Sequence, residues 1–517
     1  MTTAIVQKKS YDSLIFGVSG GLTVAYILFA FLAPQANEAI VNAVFQYLTM
    51  SWGWAYLWVD FIVLLACFFL IFHRFGDIKL CLPGEKPEFK DITWFGMLFS
   101  GAIAAGIVFW GPAEPPSHMS VVPPLFADAG VQPNTTRAAI VGTAQSFFHT
   151  GVNAWCVYAM LATAMCLGSY VKGLPMRFSS AFYVIFGDRV KGNLGRVLDI
   201  FAVLATLGGM ATTTGLIALQ LGSGLQYYYG FELGQYGNYI VIGVMTAIFT
   251  FCVYTGLQKG IKLMADVRMG IFIFISLFII LVGPTVYIFD LTTAATGQML
   301  QNFVAMCLYP EPGAESKWAA GWTVFYWAWW MAWAPFVSQF IARISKARSV
   351  RSLMLFGMLV PAIISDLWYG VAGGAGIFYQ VGDVMKDHGA QSAIFALAKA
   401  MPLSNLTAFL MVLMVAIFFL TVANAASMSL SMFVSGHEDP ARWLRTFWAL
   451  ALGFSAMVLT GTGQLSVIQT ASIAGAVPMV PLLFLLVIGV FRAMNRIYAE
   501  RYGPAAIAET SPEASPA

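Results

Sequence analysis

Charged residues are scarce in this sequence. Asp, Glu, Lys and Arg together form 10% of the 517 residues, whereas hydrophobic residues form 59% and the mean hydropathy is +0.77. A single soluble core cannot bury so much apolar surface. No polar stretch is long enough to fold as a domain of its own. The composition therefore predicts an integral membrane protein.

Paired cysteines and metal-binding motifs are missing as well. The six cysteines, at positions 67, 81, 156, 166, 252 and 307, show no CxxC spacing. Most of them fall inside apolar runs, where cysteine packs as a small hydrophobe. No spacing of nucleophile, histidine and carboxylate indicates catalysis. We therefore expect no disulfide, metal, cofactor or enzymatic activity.

Long apolar runs dominate the chain. Runs of roughly 20 residues, the length at which a helix crosses the hydrocarbon layer, recur at residues 13–33, 51–72, 92–113, 139–168, 198–224, 236–256, 269–289, 320–341, 353–379, 405–430, 444–461 and 472–491. They predict twelve membrane-spanning helices, called spans 1 to 12 here. The domain division is then an N-terminal segment (1–12), a twelve-helix domain (13–491) and a C-terminal tail (492–517).

The basic residues alternate between the two sides of these spans. Of the 27 Lys and Arg residues, 23 fall in or beside alternate loops, and four fall on the other side: Arg137, Lys317, Lys386 and Lys399. Basic residues concentrate in cytoplasmic loops, so both termini are predicted to be cytoplasmic. The net charge of +3 reflects this topology and implies no nucleic-acid partner.

Tryptophan is unusually dense in span 8. Five of the twelve residues from Trp322 to Trp333 are tryptophan. On a helix, Trp330 shares a face with Trp327, Trp333 and Tyr326. Aromatic faces attract cations, above all poorly hydrated quaternary ammonium groups. The segment indicates either a cage for such an onium group or an aromatic belt at headgroup depth.

Polar and flexible positions interrupt other spans. Three glycines and a proline weaken the helix of span 3: Gly101, Gly106, Gly111 and Pro112. Such a pattern is typical either of the broken helices of transporters or of close helix packing. Hydroxyl and amide groups in spans 5 and 10 either line a path or bond between helices: Thr212, Thr213, Thr214, Thr421, Asn424, Ser427 and Ser429. Ionisable residues inside spans are functional candidates because their burial is costly: Asp60, His149, Arg268 and Asp366. For His149, a hydrogen-bonded packing role is the favoured interpretation.

Four motifs carry a resemblance to a known family. They are FYWAWWMAWAPFVSQFIARISKAR in span 8, IVFWGPAEPPSHM in span 3, FFHTGVNAWCVYA in span 4 and GLQKGIKLMADVR before span 7. Together they resemble the signature of the betaine/carnitine/choline transporter (BCCT) family. The resemblance covers nearly the whole chain, with twelve spans in the same order.

The resemblance implies an all-α membrane protein with a LeuT-like core of two inverted five-helix repeats, spans 3–7 and 8–12, after two extra helices. It also implies alternating access, a homotrimer in a bacterial inner membrane and a substrate cage between spans 4 and 8. Carried over by motif, the cage residues are Trp155, Tyr158, Trp329, Trp330 and Trp333. The carboxylate of the guest is expected to meet backbone amides of the broken span 3.

One cage position departs from the family pattern. Members usually carry an aromatic residue after the histidine of span 4, whereas Thr150 follows His149 here. Threonine leaves more room and adds a hydroxyl. We therefore expect a guest that is bulkier or more polar than glycine betaine.

The coupling positions depart as well. Sodium-coupled members resemble one another in a Gly-Met-Gly-Ile-Gly run and a Thr-Ser pair, where this chain has AIAAG at 102–106 and Thr421–Val422. Arg268 matches an arginine of the family's sodium-independent carnitine/γ-butyrobetaine exchanger. A guanidinium that is always protonated can replace the ion's charge. The exchanger has tyrosines after FWG that this chain lacks, so the exchanger's substrate cannot be assigned to this chain. Asp366 lies outside the family pattern and is a candidate proton carrier.

These features predict a secondary transporter of onium zwitterions such as carnitine, γ-butyrobetaine, glycine betaine or dimethylsulfoniopropionate, working by sodium-independent exchange or uptake. The alternative is a sodium- or proton-coupled symporter of glycine betaine or choline that serves osmoprotection. A membrane enzyme or a receptor for choline-like headgroups is disfavoured, because neither a reactive cluster nor a signalling domain is evident.

Overall fold

A computed structural model describes residues 11–102, 105–232, 234, 236–256, 258–313, 316–461 and 465–502. Within these ranges the chain is almost entirely helical, and the only β pairing is an isolated bridge between Lys79 and Ser349. The predicted all-α class is confirmed. Most of the predicted N-terminal segment, and the tail after residue 502, lie outside the described residues.

The described residues form twenty helices longer than a single turn. They are α1 (Ser13–Leu32), α2 (Pro34–Phe72), α3 (Asp91–Ala102), α4 (Ala105–Trp110), α5 (Glu114–Ser120), α6 (Thr136–Thr150), α7 (Val152–Cys166), α8 (Asn193–Ser223), α9 (Gly237–Thr255), α10 (Gln258–Val282), α11 (Thr285–Cys307), α12 (Phe325–Ile344), α13 (Val350–Trp368), α14 (Gly374–Phe378), α15 (Val381–His388), α16 (Ala393–Ala400), α17 (Ser404–Ser435), α18 (Arg442–Thr460), α19 (Leu465–Ala476) and α20 (Met479–Tyr502). Wider π turns extend four of these helices, at Leu167–Val171, Gly224–Tyr228, Ala320–Val324 and Tyr369–Gly373.

Ten helical stretches of the described chain are long and apolar enough to cross a membrane. They correspond to ten of the predicted spans. Spans 3 and 8 are not among them: two residues of span 3, 103 and 104, lie outside the described residues, and span 8 carries the tryptophan-rich segment. The exact count of twelve crossings therefore stays a prediction.

Span 3 is interrupted where its glycines and proline predict weakness. After α4 the chain turns through Gly111 and Pro112 and restarts at α5. A methyl group on Gly111 would lie 2.1 Å from the indole nitrogen of Trp368, which donates to the carbonyl of Ile107 at 3.0 Å. Only glycine allows this close approach of α13 to the break.

The tryptophan-rich helix α12 lies inside the bundle. It packs against α7, α8 and α19, and Phe325 to Pro335 are all buried. Outer helices such as α1, α9 and α10 expose large apolar side chains, among them Leu22, Phe251 and Leu281. A buried aromatic segment excludes the headgroup belt as the explanation of the tryptophans in α12. The exposed apolar side chains suit a surface that faces lipid.

Ionic contacts tie two predicted cytoplasmic loops together. Lys346 contacts Glu85 at 2.6 Å, and Arg348 pairs with Asp91. The hydrogen bond from Lys346 lowers the pKa of the Glu85 carboxyl. These pairs join the loop before α3 to the loop after α12, so both loops lie on one side of the bundle, as the charge pattern predicts.

Candidate substrate and coupling site

Two tryptophans form hydrogen bonds to the backbone at a break in span 4. Gly151 separates α6 from α7, and a methyl group there would lie 2.7 Å from the carbonyl oxygen of Phe147. The indole N–H of Trp330 donates to the carbonyl of His149 at 2.8 Å, and that of Trp155 donates to the carbonyl of Thr150 at 3.2 Å. The break therefore supplies two successive backbone carbonyls, of His149 and Thr150, and each of them holds one of the two indole rings.

The other two predicted cage tryptophans are held by a single residue of α8. Trp329 and Trp333 donate their indole N–H groups to the carbonyl of Gly209, at 3.3 and 3.1 Å. A methyl group on Gly209 would lie 2.7 Å from the ring of Trp333. Glycine at this position therefore lets α12 approach α8 closely enough for both bonds.

The cage rings fall into two groups. Trp155 and Tyr158 pack edge to face at 5.3 Å, whereas Trp329 and Trp330 stack at 5.2 Å with planes 10° apart. Within the described chain no direct ring contact joins the two pairs, and the hydroxyl of Tyr158 is buried without a hydrogen-bond partner. All five predicted cage residues, Trp333 included, are buried. The indole N–H groups of the four predicted cage tryptophans all bond to backbone carbonyls. Their ring faces are therefore the parts that can bind a cation.

Thr150 is fully buried beside this break. Its hydroxyl donates to the carbonyl of Ser146 at 3.0 Å, one turn earlier in α6. The hydroxyl is therefore engaged by its own helix rather than directed to a guest. What distinguishes this position from that of other family members is therefore the volume of its side chain, which is smaller than that of the usual aromatic residue.

The structure brings together two of the three predicted coupling residues. Arg268 of α10 donates from Nη1 to the hydroxyl of Thr421 of α17 at 3.0 Å. Its guanidinium lies 4.5 Å from the ring centroid of Phe418, and the arginine side chain is buried. A buried, always protonated guanidinium thus contacts Thr421, one of the predicted coupling residues. Two residues of the AIAAG run, 103 and 104, lie outside the described residues.

Asp366, the third predicted coupling residue, lies apart from Arg268 and Thr421. It is half-buried in α13, and its Oδ1 atom is buried without a partner in the described chain. A methyl group on Gly151 would lie 3.8 Å from this oxygen. No ion pair joins Asp366 to Arg268 among the described residues. The carboxylate adjoins the break in span 4 rather than the arginine.

Similarity to known proteins shows the family of this chain. The family model for "BCCT, betaine/carnitine/choline family transporter" matches residues 14–499. The chain belongs to the betaine/carnitine/choline transporter family. It is 37% identical over 502 residues, 95% of this chain and 98% of the relative, to the "Probable glycine betaine transporter" of Desulfitobacterium hafniense.

Two further relatives extend over most of the chain. The "Glycine betaine transporter OpuD" of Bacillus subtilis is 34% identical over 489 residues, 94% of both chains. The "Betaine/ectoine transporter LcoP" of Corynebacterium glutamicum is 32% identical over 514 residues, 97% of this chain and 81% of the relative. As a BCCT member, this multi-pass membrane protein is a transporter and not an enzyme.

One part of this transporter was not predicted from its sequence, a buried polar cluster beside the predicted cage. Glu114 accepts from His149 Nδ1 at 2.7 Å and from His118 Nε2 at 3.2 Å, both on oxygen Oε1, while the hydroxyl of Tyr326 donates to Oε2. His149 Nε2 also contacts the hydroxyl of Thr323 at 3.0 Å. The available signal is the pair Glu114 and His118, four residues apart in an apolar segment, which puts both on one helical face.

This cluster is a hydrogen-bond network in the described structure. Its three potential ligand atoms lie within 4.8 Å of one another. Both imidazoles, however, meet one carboxylate oxygen at hydrogen-bond distance, which leaves no space for an ion between them. His149 is thus hydrogen-bonded, as its favoured interpretation requires, although one of its partners, Glu114, is ionisable.

Other polar residues of the spans bond between or within helices. The Thr212 hydroxyl donates to the carbonyl of Ile468 at 2.7 Å, and Thr213 donates to Gly209 at 3.1 Å. Asp60 accepts from the Asn153 amide at 2.9 Å. For Thr212 the structure therefore favours bonding between helices over lining a path.

Proposed function

We propose that this chain carries glycine betaine or a related onium zwitterion across a bacterial inner membrane by alternating access, without sodium. The observation that carries the proposal is the tether of Trp155 and Trp330 to two successive carbonyls at the break in span 4. It fixes aromatic rings of two helices around one point while leaving their faces for an onium group. Desolvated cation–π contacts of this kind suit a guest that cannot form hydrogen bonds.

The named substrates of the relatives support the betaine class. Glycine betaine and ectoine are small, neutral zwitterions, and the relatives that carry them cover nearly the whole chain. The volume left by Thr150 also admits longer or bulkier guests, so carnitine, γ-butyrobetaine and dimethylsulfoniopropionate belong to the proposal. The carboxylate of the guest would meet backbone amides at the interrupted span 3.

The contact between Arg268 and Thr421 supports independence from sodium. A guanidinium is always charged, and here it donates to the hydroxyl that would otherwise be a sodium ligand. Its stacking on Phe418 holds it in place. The cytoplasmic position of both termini and assembly as a homotrimer, which follow from the charge pattern and the family resemblance, are part of the same proposal.

The test is uptake of radiolabelled glycine betaine and carnitine into proteoliposomes, with sodium or potassium outside and with or without unlabelled substrate inside. Uptake at the same rate with sodium and with potassium supports the role of Arg268. Faster uptake in the presence of internal substrate identifies exchange. Uptake that requires sodium favours the alternative, a sodium-coupled symporter for osmoprotection. Absence of binding for every onium zwitterion overturns the proposal.

A further inference from the structure

Asp60 is an acidic residue buried inside the bundle on α2. The residue is 2% exposed, and among the described residues no lysine or arginine pairs with it. A carboxyl group inside a membrane span is costly to bury, so such a residue is retained where it has a polar partner and a role. In the described chain, the side chain that bonds to this carboxylate is that of Asn153, whose Nδ2 atom donates to Oδ2 at 2.9 Å. This bond links α2 to α7.

Asn153 lies in the first turn of α7, directly after the break in span 4. Helix α7 begins at Val152, and its N-cap residue, Gly151, provides no side-chain cap. The first amide groups of a helix have no partner within the helix, and they give this end a partial positive charge. A carboxylate is favoured near such an end. The bond between Asp60 and Asn153 therefore attaches an uncapped helix turn to α2.

Further contacts join the same turn to its surroundings. The Nδ2 atom of Asn153 also contacts the Sγ atom of Cys307, the last residue of α11, at 3.4 Å. The thiol of Cys156 donates to the carbonyl of Asn153 at 3.0 Å. On α2, the thiol of Cys67 donates to the carbonyl of Cys156 at 3.4 Å. All four residues are buried, and together they attach the start of α7 to both α2 and α11.

Helix α7 carries two of the predicted cage residues. Trp155 stands two residues after Asn153, and Tyr158 follows three residues later. Trp155 donates its indole N–H across the break to the carbonyl of Thr150, so the position of its ring depends on how α7 is turned relative to α6. Gly151 is the joint between the two helices. Binding sites need their groups held within about 0.5 Å by packing and by hydrogen bonds from neighbouring residues. A bond at the first turn of α7 can therefore set the geometry of the cage.

We propose that Asp60 is a positioning residue of the substrate site. Through Asn153, its carboxylate holds the first turn of α7 and fixes the orientation in which Trp155 and Tyr158 present their rings to the onium group. Asp60 itself contacts no guest. The inference rests on the proposed function, and it gives α2, which supplies none of the predicted cage residues, a part in substrate recognition.

The deciding experiment measures the affinity for glycine betaine and the unfolding temperature of the full-length protein in detergent. Asp60→Leu removes the acceptor at similar volume and is expected to weaken binding by about tenfold or more, because the cage rings are no longer held in place. Thermal stability is not expected to fall with it, since an apolar group of similar volume often replaces a buried charge without loss of stability. Asp60→Asn still offers an oxygen to Nδ2 of Asn153 and is expected to keep the affinity within about threefold.

A double-mutant cycle tests whether Asp60 acts through Asn153. Asn153→Leu removes the donor and is expected to weaken binding about as much as Asp60→Leu does. The double variant is expected to bind no more weakly than either single variant, because both changes remove the same bond. Thr49→Val is the matched control, since Thr49 is buried on the same helix and its hydroxyl bonds to the carbonyl of Phe45 within α2. This control is expected to bind like the unmodified protein.

Four results would overturn this inference and leave the proposed function intact. They are unchanged affinity in a folded Asp60→Leu protein, an Asp60→Asn protein that binds as weakly as Asp60→Leu, losses that add in the double variant, and a fall in affinity matched by a fall in unfolding temperature, which indicates a structural role. If Asp60→Leu fails to fold, Asn153→Ala breaks the same bond from the donor side, and unchanged affinity there is equally decisive. Absence of binding of every onium zwitterion by the unmodified protein overturns the proposed function instead.

Discussion

Trp330 donates its indole N–H to the carbonyl of His149 at 2.8 Å, and the side chain of that same histidine donates to Glu114 at 2.7 Å. His149 therefore joins the cage to the buried polar cluster through its backbone and its ring. The residue needs no contact with a guest to matter for transport. Its position at the end of α6, immediately before Thr150 and Gly151, makes both bonds possible.

Trp330→Ala is expected to weaken binding of glycine betaine by at least about 30-fold, because a desolvated cation–π contact contributes about 2 kcal/mol or more. Isothermal titration in detergent measures the affinity. Trp58→Ala is the matched control, since that ring is 49% exposed on α2 and lies outside the cage. Unchanged affinity in a folded Trp330→Ala protein would place the substrate site elsewhere.

Thr150→Phe is expected to shift preference towards the smallest guest, because it restores a wall of the cage. The measured quantity is the ratio of affinities for glycine betaine and carnitine, which is expected to rise by tenfold or more. Thr150→Val removes only the hydroxyl, which already bonds to Ser146, and is expected to leave the ratio unchanged. A ratio that moves with Val and not with Phe would show that the hydroxyl contacts the guest.

The long apolar runs predicted the helical class, and the cage residues, which stay a prediction, were carried over from the family motifs. They could not predict that Trp329 and Trp333 share the carbonyl of Gly209, since backbone acceptors leave no trace in side-chain patterns. The contact of Arg268 with Thr421 likewise joins residues far apart in the chain. Glu114 was missed because two of its partners, His149 and Tyr326, lie on other helices far away in the sequence.

Arg268→Gln is expected to lower uptake at least tenfold in sodium-free buffer, because it removes the fixed charge beside Thr421. Added sodium is expected to restore part of the uptake by supplying that charge. Thr421→Val keeps the guanidinium and loses one acceptor, so its loss is expected to be smaller. Uptake is measured in proteoliposomes with sodium or potassium chloride, and full sodium-free uptake by Arg268→Gln would contradict the charge-replacement role.

Gly209→Ala is expected to impair binding although residue 209 offers the guest no side chain. Its new methyl group would lie 2.7 Å from the ring of Trp333 and 3.1 Å from Ala332, so α12 would have to move away from α8. That movement breaks the bonds of Trp329 and Trp333 and disorders the cage. Gly297→Ala is the control, since nothing lies within 4 Å of that site. Equal affinity in the two variants would show that these tethers do not shape the site.

Asp366→Asn tests whether this carboxylate carries a proton during transport. The Oδ1 atom of Asp366 is buried next to the break at Gly151, and it has no partner among the residues that the structure describes. Asparagine cannot accept a proton, so accumulation driven by an inward proton gradient is expected to fall and its pH dependence to flatten. Asp366→Glu is expected to restore part of both, and Asp387→Asn, an exposed site, serves as the control. If Asp366→Asn retains the uptake and the pH profile of the unmodified protein, Asp366 is not a proton carrier.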